Sequence, residues 1–103
     1  MGGINNVDYA TLTVTNASIG LESGTPTLPT GARGAVITVE TDQVRWRDDG
    51  TAPAADEGHL LNVGDVLTFD SWSVSKQNWR QVLRAIRFHR VTADAKLKIS
   101  YYD

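Results

Sequence analysis

The sequence predicts an all-β protein, either an antiparallel β-sandwich or a jelly-roll-like barrel. Short segments in which apolar and polar residues alternate recur along the chain, as half-buried strands require. Combinations of Gly, Pro, Asp and Asn separate these segments, and strands spaced regularly by turns are typical of sandwiches and barrels. The chain has 103 residues and no cysteine, so we expect one domain with a modest core that no disulfide or thiolate metal site supports.

The first strand is predicted at 9–16, where apolar residues alternate with threonine and tyrosine in a pattern that favours a half-solvated strand. The polar residues 1–8 that precede this strand are predicted to form a flexible arm. The single domain is therefore expected to span 9–103.

A connection rich in Gly and Pro at 23–34 leads to a strand at 33–41. Val36 adds an apolar residue to the second face of this strand, which predicts that the strand is central. The next strand is 44–47, where Trp46 lies on the apolar face between two arginines. The remaining predicted elements are a loop at 48–57, a strand at 66–72 and, after one ambiguous segment, a last strand at 95–102.

The ambiguous segment is 75–91, because it carries two periodicities. Four apolar residues follow the spacing of one helix face, namely Trp79, Val82, Leu83 and Ile86. Further along, apolar and basic residues alternate as in a strand. We therefore predict one short helical turn near 76–81 and a strand from 83 to 91.

The charge of the chain limits the classes of partner. The net charge is −2 and the pI about 5.6, which argues against nonspecific binding to nucleic acid. No window approaches the roughly 18 consecutive apolar residues of a membrane span. A soluble, non-secreted protein without nucleic-acid or membrane partners is expected.

The residues that could perform chemistry do not form a recognisable motif. His59 and His89 have no close acidic partner in the sequence, and a metal site would need further ligands. Acidic residues gather in the 48–57 loop, but their spacing does not match a calcium-binding EF-hand loop. The adjacent Asp48 and Asp49 would point in different directions, which disfavours the opposed carboxylates of a glycosidase. We expect no enzyme activity, no metal site and no cofactor.

Two candidate partner contacts emerge instead. Trp79 lies in a polar context beside Arg80, with Arg84 one turn away, and an exposed tryptophan next to arginine is typical of interface hot spots. The N-terminal arm is the other candidate, through Ile4, Asn5 and Asn6, because such an arm can become ordered on a neighbouring molecule.

Arginine is also concentrated locally. The cluster consists of Arg80, Arg84, Arg87 and Arg90, with Arg45 and Arg47 as possible additions. These arginines would either bind an acidic surface of a partner or pair internally with acidic residues such as Asp48, Asp49, Asp65 and Asp70. The sequence leaves both alternatives open.

Five segments of the chain resemble small β-sandwich structural proteins of tailed bacteriophages. The segments are VRWRDDGTAP at 44–53, GHLL at 58–61, GD at 64–65, LRAIRF at 83–88 and KLKISYY at 96–102. The similarity covers roughly 33–103, about two-thirds of the chain. The N-terminal third and the long polar stretch 72–80 depart from it.

The resemblance implies a virion component without catalytic residues. We expect a capsid decoration (cement) protein that is made in the host cytoplasm, binds the major capsid protein on the outside of the head and stabilises the shell. A homotrimer is expected, because decoration proteins commonly occupy threefold axes and repeated sites favour multivalent binding. The alternatives are a neck or tail accessory, or a carbohydrate-binding module with Trp46, Trp72 and Trp79 as a stacking platform.

Overall fold

The computed structural model describes residues 6–29, 32–69 and 83–102. Within these ranges the chain forms eight β-strands. They are β1 (Asn6–Val14), β2 (Ile19–Gly20), β3 (Gly34–Glu40), β4 (Val44–Arg47), β5 (His59–Leu61), β6 (Val66–Phe69), β7 (Arg87–Arg90) and β8 (Ala95–Tyr102). A short 3₁₀ helix, Leu21–Ser23, follows β2. No helix in the described ranges is long and apolar enough to cross a membrane.

The strands form two four-stranded sheets, and every described pair is antiparallel. Sheet A has the order β1-β8-β3-β6 and sheet B the order β2-β7-β4-β5. β1 pairs with β8, β2 with β7, β3 with β6 and β4 with β5, as in one long hairpin folded over on itself. This is the jelly-roll arrangement, so the prediction of an all-β sandwich or jelly roll is confirmed.

The core lies between the two sheets and is built by the alternation in each strand. Sheet A contributes inward-facing residues such as Leu12, Ile37 and Ile99, whereas sheet B contributes Val44 and Phe88, and all five are almost completely buried. β3 pairs with β8 on one side and with β6 on the other. The prediction that this strand is central is therefore confirmed.

The first strand begins earlier than predicted, because long-range contacts extend it. β1 starts at Asn6 and pairs with β8 from there onwards. The Asn6 side-chain amide donates hydrogen bonds of 3.2 Å to the carbonyl oxygens of Asp8 and Tyr101. Residues 6–8 thus belong to the sheet, and assigning them to a flexible arm was wrong. The other arm residues, including Ile4 and Asn5, lie outside the described residues.

The segment before β7 also differs from the prediction. Residues 83–85 are helical and the strand begins only at Arg87, so the prediction of a strand from 83 was wrong. Leu83 and Ile86 are both fully buried, as their helical spacing requires, and strand alternation starts one residue later. The helical turn predicted near 76–81 lies outside the described residues.

The side chain of Tyr101 is fully buried, and its hydroxyl has no hydrogen-bond partner among the described residues. Burial raises the pKa of this phenol, and the negative charge of Asp8 raises it further. An unpaired buried hydroxyl costs about 1–3 kcal/mol. The Tyr101 hydroxyl therefore lowers the free energy of unfolding.

Replacing Tyr101 with Phe is expected to raise the free energy of unfolding by about 1 kcal/mol at neutral pH. The advantage should grow above pH 10.0, the ordinary pKa of tyrosine, because the unfolded wild-type chain then releases a proton that the folded chain retains. Urea unfolding at pH 7 and above pH 10 measures both effects. Tyr9→Phe, at an exposed position, is the control, and an equal gain from it would contradict the assignment.

Candidate functional site

The segment between β4 and β5 is a long loop that is tied back onto its own strand. The Arg45 guanidinium donates hydrogen bonds to the carbonyl oxygens of Ala55, from Nε at 3.3 Å, and Gly58, from Nη1 at 3.2 Å. Pro53 in the middle of the loop is buried. Gly58 has a φ of +129°, and a Cβ there would lie 3.0 Å from the Trp46 carbonyl oxygen. Arg45 and Gly58 together hold this loop against β4.

Trp46 faces inward at the end of the sandwich. Its ring centroid lies 4.7 Å from that of His59 and 5.6 Å from that of Phe69, the latter in an edge-on arrangement. The side chain is partly buried and packs against the core. The prediction that Trp46 lies on the apolar face of its strand is confirmed, and a side chain packed against the core is poorly placed for a sugar-stacking platform. Trp72 lies outside the described residues.

A cleft of about 300 Å³ opens beside this loop. Its lining is strongly polar and consists of Arg47, Asp48, Asp49, Glu57, Gly58 and His59. Arg47 and Asp49 form a two-point ion pair, with 3.1 Å between Nε and Oδ1. The Arg47 side chain and the Thr51 N–H both lower the pKa of Asp49 by hydrogen bonding to its carboxylate.

The hydrogen bonds to Asp49 limit the acid–base chemistry that this carboxylate can perform. A carboxylate with a lowered pKa stays ionised at neutral pH and is unsuited to act as a proton donor. Within the described ranges, no three His, Asp or Glu side chains converge closely enough to hold a metal ion. Within the cleft, the Arg47–Asp49 pair is the ion pair that the described contacts show.

The outer surface of sheet B is basic, and we call it the arginine face. It consists of Arg45, Arg47, Arg87 and His89. Arg47 lies directly opposite Arg87 across the β4–β7 pair, and Arg45 lies opposite His89. All four point away from the core because their neighbours Val44 and Phe88 point into it.

Some arginines of the cluster predicted from the sequence have an internal ion-pair partner in the structure, and one has none among the described residues. Arg47 pairs with Asp49, Arg90 with Asp94 at 2.6 Å, and Arg84 with Glu22 at 3.0 Å. Internal pairing therefore accounts for these three arginines. The Arg87 side chain is exposed and makes no hydrogen bond or ion pair within the described part of the chain.

Of the predicted contact residues, the structure describes Asn6 and Arg84. Asn6 begins β1, and Arg84 lies in the short helical segment, exposed and paired with Glu22. Trp79 and Arg80 lie outside the described residues, so their role as a partner contact stays a prediction.

The outer surface of sheet A has a different character, and we call it the threonine face. It consists of Tyr9, Thr11, Thr13, Val36, Thr38, Val66, Thr68 and Ser100, which the strand registers place side by side. Tyr9 is 54% exposed and Val66 58% exposed, at opposite edges of the sheet. Besides these uncharged residues, the face carries three described charges, Lys98 in the centre and the opposed Lys96 and Glu40 at one end.

The threonine face was not recognised as a site from the sequence. The signal was present, because threonine alternates with core residues in several strands, but only the pairing of those strands makes their outward residues one surface.

The free edge of β1 beside this face is blocked against strand addition. Thr11 and Thr25 exchange backbone hydrogen bonds of 3.0 and 2.9 Å, and the Asp8 carboxylate accepts the Tyr9 N–H at 2.8 Å. The register also shifts between Asn6 and Asp8. Such features protect sheet edges from unwanted pairing, so a partner on this side would contact the face through side chains.

The chain matches no family model, no curated protein and no solved structure.

Proposed function

We propose that the protein is a structural component of the virion of a tailed bacteriophage. In this proposal it is a capsid decoration protein that assembles as a homotrimer and binds the major capsid protein on the outside of the head. It acts by binding and has no catalytic role. The observation that carries the proposal is the threonine face.

The composition of the threonine face supports a protein contact. Interfaces are enriched in tyrosine, and this face exposes Tyr9 and Val66 at its two edges among threonines. Lys98 is its central charge, and its Nζ lies 3.4 Å from the Thr11 hydroxyl. The alkyl part of such a side chain can contribute apolar contact area.

The size of the threonine face favours an assembly of several copies. The four strands lie about 4.8 Å apart, and each residue lengthens a strand by about 3.3 Å. The outer surface of sheet A therefore measures roughly 400 Å². This is about half of the 800 Å² per partner that a standard interface buries. A contact of this size becomes stable when it is repeated. In a closed trimer each copy offers this face to one neighbour and a second patch to the other, and on a lattice many copies bind side by side.

The fold supports the proposal by analogy, because viral capsid proteins share the jelly roll with lectins and other proteins. The inward position of Trp46 weakens the carbohydrate-binding alternative, which needs exposed and coplanar aromatic rings.

The mass of the purified protein, measured by light scattering, is expected to be three times the 11.2 kDa of the chain. Val66→Asp should convert the trimer to monomer, because it places a charge in the contact that no partner neutralises. Val63→Asp is the matched control, since Val63 is similarly exposed at 55% but lies in the turn before β6. A monomeric wild type would contradict self-assembly, and so would equal dissociation by both variants.

The site on the virion is tested by cryo-electron microscopy of the particle. We expect density for the jelly roll on the outside of the head, and particles assembled without the protein should lack it. Density at the neck or tail would support the accessory role instead, and its absence from the particle would overturn the proposal.

A further inference from the structure

We propose that the arginine face binds a carboxylate-rich protein surface and that Arg87 makes its central contact. The inference rests on the proposed function in one respect, since it takes that surface to belong to the capsid shell. It assigns the two faces of the sandwich to different partners, with copies of the chain on the threonine face and the shell on the arginine face.

The first argument is the unneutralised charge on the arginine face. Arg47 and Arg87 lie opposite each other in adjacent strands, where like charges are destabilising. Asp49 neutralises Arg47, but no described carboxylate pairs with Arg87. Arg45, on the same face, uses its guanidinium to bind backbone carbonyl oxygens and keeps its charge. A protein with a net charge of −2 thus concentrates positive charge on one sheet.

The second argument is the position of the Arg87 side chain. Gly20 lies opposite Arg87 in the β2–β7 pair. A Cβ at Gly20 would lie 2.9 Å from Arg87 Nη1 and 3.3 Å from the Ile86 carbonyl oxygen. The glycine therefore leaves room for the guanidinium to lie over β2. The guanidinium is thus both exposed and unpaired within the described residues, and its planar fork matches both oxygens of a carboxylate.

The third argument concerns the class of partner. The acidic residues of the cleft, Asp48, Asp49 and Glu57, lie beside Arg47 at one end of the face. A nucleic-acid backbone is continuously charged, and along this face it would meet those carboxylates. A partner's side-chain carboxylate needs one contact only, at Arg87, which lies one strand further from the cleft than Arg47. This arrangement favours an acidic protein surface over nucleic acid.

Poly-L-glutamate, labelled with a fluorophore, is the probe for this surface, and anisotropy measures its binding to the full chain. We expect saturable binding that weakens as salt rises and an affinity at least tenfold lower for Arg87→Glu. The matched control is the double variant Asn16→Asp/Ala17→Asp, which makes the same change of net charge at exposed positions between β1 and β2, outside both faces. It should alter the affinity less than twofold.

Equal weakening by Arg87→Glu and Asn16→Asp/Ala17→Asp would show that only net charge matters and would overturn the proposal. Absence of saturable binding at low salt would do the same. Tighter binding of a DNA duplex than of poly-L-glutamate with the same number of charges would show a nucleic-acid surface instead.

The mass measurement of the proposed function separates the two hypotheses. A trimer whose poly-L-glutamate affinity is unaffected by Arg87→Glu would retain the assembly role and reject the arginine face. A monomer whose binding depends on Arg87 would reject the assembly role and retain the arginine face.

Discussion

Replacing Phe88 with alanine is expected to lower the free energy of unfolding by about 3–5 kcal/mol. Phe88 is fully buried in the middle of sheet B, where it lies opposite Ile19 on one side and Trp46 on the other. Truncation removes apolar area and leaves a cavity between the sheets. Since domains of this size are stable by only about 5–15 kcal/mol, urea unfolding should show a large shift of the midpoint.

The matched control for Phe88 is its neighbour in the same strand. Arg87 points to solvent and lies opposite another arginine, so Arg87→Ala should change the free energy of unfolding by less than about 0.5 kcal/mol. Equal losses from the two variants would mean that β7 does not present opposite faces to core and solvent.

Replacing Gly58 with alanine is expected to cost about 2–4 kcal/mol. The φ of +129° is strained for any other residue, and the added Cβ would lie 3.0 Å from the Trp46 carbonyl oxygen and 3.2 Å from Pro53 Cβ. Both contacts belong to the packing of the 48–57 loop against β4. Thermal and urea unfolding measure the loss, and hydrogen exchange in the loop should increase with it.

Gly64 separates backbone strain from packing in that experiment. Its φ is +91°, but nothing lies within 4 Å of an added Cβ, so Gly64→Ala should cost only the strain, about 1–2 kcal/mol. A loss from Gly58→Ala no larger than that would show that the loop does not pack closely on β4.

The segment 44–61 is therefore mainly structural. Trp46 fills the end of the core, Arg45 ties the loop to its strand, and Asp49 fixes Arg47. Arg45 and Arg47 also belong to the arginine face, but the other residues of the proposed contacts lie outside this segment, so no single motif marks them.

Much of the fold is determined by local pattern. Alternation with a period of two residues assigns the two faces of a strand, and it was sufficient to predict an all-β fold, a central β3 and an inward Trp46. Steric preferences of β-branched residues and the need of glycine for positive φ act within a few residues. Such properties can be recognised in the sequence without knowledge of the fold.

Only the tertiary structure decided which strands lie side by side. Asn6 is held in β1 because its side-chain amide donates a hydrogen bond to the carbonyl oxygen of Tyr101. Arg47 lies opposite Arg87 because β4 pairs with β7. Residues 83–85 are helical because that conformation buries Leu83 and Ile86 together. Alternation states which way a side chain points but not which strand is its neighbour, since pairing depends on hydrogen bonds and packing between distant segments. For that reason the sequence determined which residues of each strand point to the core and which to solvent. The tertiary structure determined which outward residues combine into the threonine face and the arginine face.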